Sequence, residues 1–434
     1  MSFSFGACGM ARLTLTAALV ASTLSAQAQT AAQPSAAQAS AAEAQYRLGL
    51  YQRETGQPYS AIDTLESLLS AEPGLNRARL ELAVAYYRTL NYERARTQAQ
   101  RVLDDPRTPE NVRLSVLSFV KLIELEERTA QGKPHRVDAN ASVGLLYDSN
   151  VNAGPDNAVL GVTGSGLLTL NPAFLSKSDW GQTAQFGLRH TWQRPAPVRV
   201  GESTGRLQWN SSLGAYHKGY QRENDFNLGV VTLATGPGLI LGQDFRGNIN
   251  LQLDHISFGG RDLGLYTSLT PSLTWSTLGG ELTTDLQVSQ RSFSRPTDAG
   301  RQGQFRSLGL SYGRVLAGQF AVQGGVRSFV ENTREDRFSN RGESLFVGGR
   351  YKWSGLDFFL RTAWRSTRFE GVEPIFGIAR HEIERRNELG VSYALGESND
   401  WLLSATVANV HNKANISLYG YNRDTVTFTL SRSL

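Results

Sequence analysis

The chain has 434 residues, 40% of them hydrophobic and 19% charged, with a formal charge of +5; that is enough for two or more domains and too apolar for an intrinsically disordered protein. Its lysines and arginines are scattered rather than gathered into the basic stripe a nucleic-acid binder carries, so no nucleic acid is expected as a partner. Beyond the N-terminus no apolar run approaches the ~18 residues of a membrane-spanning helix, and a mean hydropathy of −0.31 argues against a helical membrane protein but not a β-barrel, where half of each strand is polar.

The first element is a leader. Arg12, the apolar stretch Leu13 to Leu24 and then Ala26-Gln27-Ala28 read as a secretory signal peptide over residues 1–28, with Met10 as an alternative start. An Ala/Gln-rich segment, 29–42, follows and is expected to be disordered. The single cysteine, Cys8, lies within the leader. The mature chain is therefore expected to carry no thiol, which suits an oxidising compartment and removes any Cys-based metal site or nucleophile.

Residues 43–128 follow a helical pattern that repeats every 34 residues, the period of tetratricopeptide helical hairpins. Gly49, Ala61, Leu65 and Pro73 stand at the small, small, large and Pro positions of one repeat. Ala83 and Ala95 fall in register behind Gly49 and Ala61, and Pro106 comes one residue short of register with Pro73. Small residues let paired helices approach, and Pro stops the second helix. Gly56 and Pro58 punctuate the first turn. Thr108 as N-cap and Pro109 at the first helical position start a third element, a further repeat or a capping helix, with an expected apolar stripe of Leu114, Leu117, Val120, Leu122 and Leu125. Residues 129–136, with Gly132 and Pro134, form a linker.

From Val137 to the C-terminus the pattern changes to period two. Val137, Ala139, Ala141, Val143 and Leu145 alternate with Asp138, Asn140, Ser142 and Gly144; Phe245, Gly247, Ile249, Leu251 and Leu253 alternate with Arg246, Asn248, Asn250, Gln252 and Asp254. Strand starts are predicted near 137, 180, 205, 225, 244, 263, 280, 303, 318, 342, 356, 384, 401 and 424, an even set as a bacterial barrel requires. Aromatics near the strand ends are expected to form interfacial girdles: Trp180, Trp192 and Trp209, Tyr216 and Tyr220, Tyr266 and Trp275, Tyr351 and Trp353, Trp364, Trp401, Tyr419 and Tyr421. The last strand, through Val426, Phe428 and Leu430, closes on Leu434. A soluble sandwich of this length would need two stacked domains and a boundary between them, and no Pro/Ser-rich boundary follows residue 137. The fold class expected is an N-terminal all-α tetratricopeptide-repeat domain (43–128) followed by a C-terminal antiparallel transmembrane β-barrel of about 14 strands (137–434).

Few residues suggest chemistry. His381 alternates out of phase with Glu382 and Glu384, so a strand would not bring them to one face, and the neighbouring Arg380, Arg385 and Arg386 point to ion pairing instead. Asp148, Asn150, Asn152, Asp156 and Asn157 make an oxygen-rich loop whose spacing departs from a calcium loop and fits a turn. Gly164-Ser165-Gly166 has no positioned base, and no phosphate-cradling loop occurs. No catalytic, metal or cofactor-binding residue is expected, and the protein is expected not to be an enzyme.

The order of parts, with Tyr147-Asp148-Ser149-Asn150-Val151-Asn152 at the end of the first strand, resembles the surface lipoprotein assembly modulator (Slam) family over residues 43–434. In that family a segment of this type follows the first barrel strand. The short repeat domain and the non-aromatic terminal residue depart from the family's pattern. The resemblance implies a Gram-negative outer-membrane location, with the repeat domain in the periplasm. It implies a client lipoprotein or related secreted protein, captured by the repeats and passed through or released by the barrel. Outer-membrane lipids are implied as surroundings, and periplasmic chaperones and the barrel-assembly machinery as partners during biogenesis. An exopolysaccharide export pore and a passive porin-like channel are the other functions such an architecture suits.

Overall fold

The computed structural model of the chain describes residues 36–130, 134–162, 166–242, 244–316, 318–396 and 400–434. The leader with Cys8, residues 29–35, the linker residues 131–133 and Gly164-Ser165 lie outside the described residues. The chain divides into two compact units, one containing the helices together with Arg199–Thr204, the other containing the strands.

The helical unit runs α1 (Ala36–Glu54), α2 (Pro58–Ala71), α3 (Asn76–Arg88), α4 (Tyr92–Leu103) and α5 (Glu110–Ala130). Residues 36–42 are helical rather than disordered, in keeping with the high helix propensity of Ala and Gln. Gly56 takes φ +80°, and Pro58 opens α2. Asn91 caps α4 by accepting from the Arg94 amide at 3.3 Å. The core is apolar, with Ala61, Leu65, Leu68, Ala85 and Ala95 fully buried. A second cluster gathers Ala83, Ala99, Val102 and Val116.

Of the stripe expected on α5, Val120 is buried as expected and the four leucines are corrected. Leu114, Leu117, Leu122 and Leu125 are exposed, and the buried side is Val112, Val116, Val120 and Ile123. Both sets have helical spacing; the β-branched set faces α4, which decides the matter.

The second unit contains β1 (His135–Asp148), β2 (Val159–Val162), β3 (Gly166–Thr169), β4 (Asp179–Gln193), β5 (Val198–Val200), β6 (Ser203–Tyr220), β7 (Leu228–Leu241), β8 (Phe245–Phe258) and β9 (Arg261–Thr277). It continues through β10 (Gly280–Phe293), β11 (Gly303–Leu316), β12 (Phe320–Thr333), β13 (Asn340–Trp353), β14 (Leu356–Val372), β15 (Ala379–Leu395), β16 (Trp401–Ala414) and β17 (Tyr421–Ser433). Each barrel strand pairs antiparallel with its sequence neighbour, β4 pairs with β6, and β17 returns to β1 with Val143 opposite Leu430. The result is a closed 14-stranded barrel. Outside that count, β2 and β3 form a ribbon within the β1–β4 loop, and β5 flanks β6.

Closure removes sheet edges and satisfies every ladder. One end carries tight hairpins. Leu278-Gly279 (φ 53° and 72°) and Ser354-Gly355 (φ 48° and 82°) have the paired positive φ that a two-residue turn needs to match strand twist. The other end carries the longer connections 149–178, 221–227, 294–302, 334–339, 373–378 and 415–420.

Period-two alternation sends Val143, Leu145, Leu251, Leu269, Leu308 and Val407 outward, where all are exposed. The outward aromatics include Trp180, Trp192, Trp209, Trp275, Trp353 and Trp401, which accords with the expected girdles. Tyr216, Tyr220, Tyr266 and Tyr421 correct them, because strand parity turns these rings inward; Tyr419 lies in a 3-10 turn of the 415–420 loop.

Candidate functional site

The segment Tyr147 to Asn152 ends β1 and anchors the loop that follows. Asp148 and Asn150 are fully buried, and Val151 nearly so. The Asp148 carboxylate accepts from the Tyr220 hydroxyl at 2.5 Å, from Arg423 Nε at 3.0 Å and from the Asn150 amide at 3.1 Å. Protein donors thus occupy the oxygens that a cation would require. Asn150 holds the loop to itself and to the last strand: Oδ1 accepts from the Gly154 amide, and Nδ2 donates to the carbonyls of Gly154 and Asn422, each at 2.8 Å. The Ser149 hydroxyl accepts from the Asp424 amide at 2.8 Å. Asn152 reaches the loop's far limb through Leu175 O (2.8 Å) and Lys177 N (3.0 Å). Tyr147 lies against Trp180 with ring centroids 5.2 Å apart. A Cβ on Gly154 would stand 2.6 Å from the Phe174 carbonyl oxygen, so the two limbs close only over glycine.

Further along, the same loop lies against other loops of its end of the barrel. Leu160, 1% exposed, packs with Phe376 and Ile416. Arg380 is sandwiched between Phe369 and Tyr419, 3.7 and 4.0 Å from the ring centroids. Burial, and then a hydrogen bond to Glu373, pushes the Tyr419 phenol above its ordinary pKa.

The repeat-signature residues also hold together. A Cβ on Gly49 would lie 2.7 Å from Leu65 Cγ, so α1 and α2 cross at glycine contact. Ala61, Ala83 and Ala95 are fully buried, while Pro73 and Pro106 stand exposed just past the ends of α2 and α4. Arg53 meets Glu81 at 2.6 Å within this unit.

Inside the barrel, charges pair across the strands: Arg246–Glu281 and Arg291–Glu331 at 2.6 Å and Arg327–Asp285 at 2.8 Å each span an intervening strand, and Arg350 meets Asp357 on the adjacent one. The segment around residue 381 behaves as expected: Arg380 approaches Glu382 at 3.4 Å and Arg386 approaches Glu388 at 2.6 Å, while His381 faces the other way, 3.4 Å from the Ser366 hydroxyl.

A cavity of 460 Å³ opens among the inward residues toward the long-loop end. Strands β9 and β10 contribute Tyr266, Arg291 and Phe293; β12 and β13 contribute Glu331 and Asn340; β14 and β15 contribute Arg365, Phe369, Glu382 and Glu384. Sequence reading missed this cavity. Its only trace is that the arginines and glutamates of β10, β12, β14 and β15 share inward parity, which pairwise register alone reveals.

A tetratricopeptide-repeat family profile matches residues 43–74. No curated protein sequence matches the chain. Among solved structures, the barrel is similar to the outer membrane channel DcaP of Acinetobacter baumannii at 11% identity, with 69% of this chain and 97% of that one aligned and a TM-score of 0.40. It is similar to an anion-selective porin from Comamonas acidovorans at 11% identity, 69% and 99% coverage and a TM-score of 0.36. It is also similar to OpdK of Pseudomonas aeruginosa at 11% identity, 69% and 98% coverage and a TM-score of 0.33. In one chain, then, a tetratricopeptide region precedes a closed antiparallel barrel.

Proposed function

We propose that this protein is a non-enzymatic outer-membrane translocator or assembly factor. It delivers surface lipoproteins or related secreted proteins, which the repeats capture in the periplasm and the barrel passes through or releases outward. The observation that carries this reading is the union, in one chain, of a helical-repeat unit with a closed barrel that is apolar outside and polar inside. A lipid-soaked exterior fits the outward leucines and tryptophans. Short hairpins at one barrel end and long loops at the other fit periplasmic and external faces respectively. The helices enter β1 at its short-hairpin end, only a few residues after Ala130, which favours a periplasmic repeat unit. Stacked helical hairpins suit the grip of an extended or partly folded chain.

Two other transport readings separate on specific features. Carbohydrate export calls for open aromatic faces along the lumen. Here Phe305 and Phe329 carry Arg291 and Arg365 over their rings, each 4.4 Å from the centroid, which counts against that reading. A passive channel finds support in the paired lumen charges, and large ion currents in planar bilayers without any client would favour it.

The test is surface labelling of a tagged neighbouring-gene product, in cells with the protein, without it, and with residues 43–128 deleted. Delivery predicts labelling only with the full chain. Undiminished display in the other two strains would end the proposal.

A further inference from the structure

The 460 Å³ cavity contains one opposed charge pair that the fold does not close. Arg365 on β14 and Glu384 on β15 are direct register partners. Cross-strand neighbours of opposite charge ordinarily meet, as Arg350 on β13 and Asp357 on β14 do inside the same barrel. Arg365 and Glu384 instead lean apart. The Arg365 guanidinium lies over Phe329 on β12, 4.4 Å from the centroid, while Glu384 accepts from the Tyr421 hydroxyl on β17 at 3.3 Å.

Each side chain thus turns toward a partner rooted two strands away, in opposite directions, and both line the one cavity. The nearby alternatives are engaged: Glu331 holds Arg291 at 2.6 Å, and Glu382 holds Arg380 at 3.4 Å. A third polar group lines the same cavity. Asn340 is 5% exposed; its Nδ2 donates to Glu331 (3.2 Å) and to the Phe338 carbonyl (2.9 Å), while its buried Oδ1 has no donor among the described residues. Phe293 and Phe369 add apolar wall.

A cation, an anion that does not meet it, a buried acceptor and aromatic walls in one cavity suit a zwitterion with an apolar side chain. We propose that the cavity binds a short zwitterionic peptide of a size that its 460 Å³ can hold. Its terminal carboxylate meets Arg365, its terminal ammonium meets Glu384, a backbone N–H donates to Asn340 Oδ1, and an apolar side chain packs on Phe293 and Phe369. The site stands whether or not the barrel exports proteins.

The experiment is calorimetric titration of the full-length protein in detergent with alanyl-phenylalanyl-alanine, its N-acetylated form and its C-amidated form. Wild-type protein should bind the free tripeptide, and each cap should weaken binding about tenfold, the size of one charge-assisted contact. Arg365→Gln should weaken the free peptide about tenfold and abolish the penalty of C-amidation alone. Glu384→Gln should do the same for N-acetylation alone. No binding by wild-type protein, equal binding of free and capped peptides, or penalties that persist unchanged in both variants would each overturn the assignment. The capped peptides test it on unmutated protein, so a misfolded variant cannot mask the answer.

Discussion

The helical unit and the barrel use apolar residues in opposite senses. In the first, Leu65 and Leu68 are 0% exposed around small residues that let helices touch; in the second, Leu145 and Leu251 are 63% and 50% exposed while arginines and glutamates pair inside. Each arrangement suits one solvent. A helical hairpin in water buries its stripe against its neighbour, whereas a strand in a closed barrel keeps its ladder satisfied whichever face meets lipid. The contrast teaches that burial marks the core of the helical unit but the polar inside, not the apolar side, of the barrel.

Four changes break or sharpen this contrast. The largest effect is expected from Leu65→Ala, which empties a fully buried site against Gly49 and should cost the helical unit ~4 kcal/mol, read as an early loss of helical circular dichroism while β signal persists. Next, Asp148→Asn leaves Arg423 without its carboxylate at a site where the Asp is fully buried. A cost of ~3 kcal/mol should appear as protease cleavage within residues 149–178 faster by roughly 100-fold, with the barrel itself intact.

Third comes a matched pair at the middle of β8. Leu251→Arg, on the outward face, should cost ~2–3 kcal/mol in urea unfolding from lipid vesicles, and Gln252→Arg, one residue on but inward, under ~1 kcal/mol. Equal costs would mean the two faces do not differ in solvent.

The smallest effect is a pH slope. Burial pushes the Glu81 carboxyl above its ordinary value of 4.5, and the attraction of Arg53 only partly offsets it. Because the folded pKa exceeds the unfolded one, the stability gained from protonation is fully present below the unfolded pKa. It is lost as pH rises through the folded value. Thermal stability of the helical unit should therefore rise slightly on acidification toward the ordinary carboxylate value through this group, and Glu81→Gln should flatten that slope.

Much of this is legible in the sequence. Period-two runs such as Val143 to Leu145 and Phe245 to Leu253 have few stable homes, and the structure closes the predicted strands into a barrel. Repeat spacing likewise placed Gly49, Ala61, Ala83 and Ala95 at close contacts. What stayed hidden was which of two self-consistent faces wins. On α5 the leucines and the valines both keep helical spacing, and only packing against α4 selects Val112 and Val116 beside the expected Val120. Tyr220 and Tyr266 look like girdle residues by position, yet parity sends them inward. The cavity was invisible for a related reason: Arg365 and Glu384 lie 19 positions apart, and only register makes them neighbours.

The claim beneath all of this is orientation: long loops outside the cell, hairpins and helical repeats inside the envelope. It is tested most directly by single cysteines placed at Asn224, in a long-loop connection, at Ser354, in a hairpin, and at Ser70, in α2, since the natural chain's only cysteine is Cys8. A membrane-impermeant maleimide should label the cysteine at 224 in intact cells and those at 354 and 70 only after the outer membrane is permeabilised. Labelling of position 70 or 354 in intact cells, with 224 protected, would contradict the account.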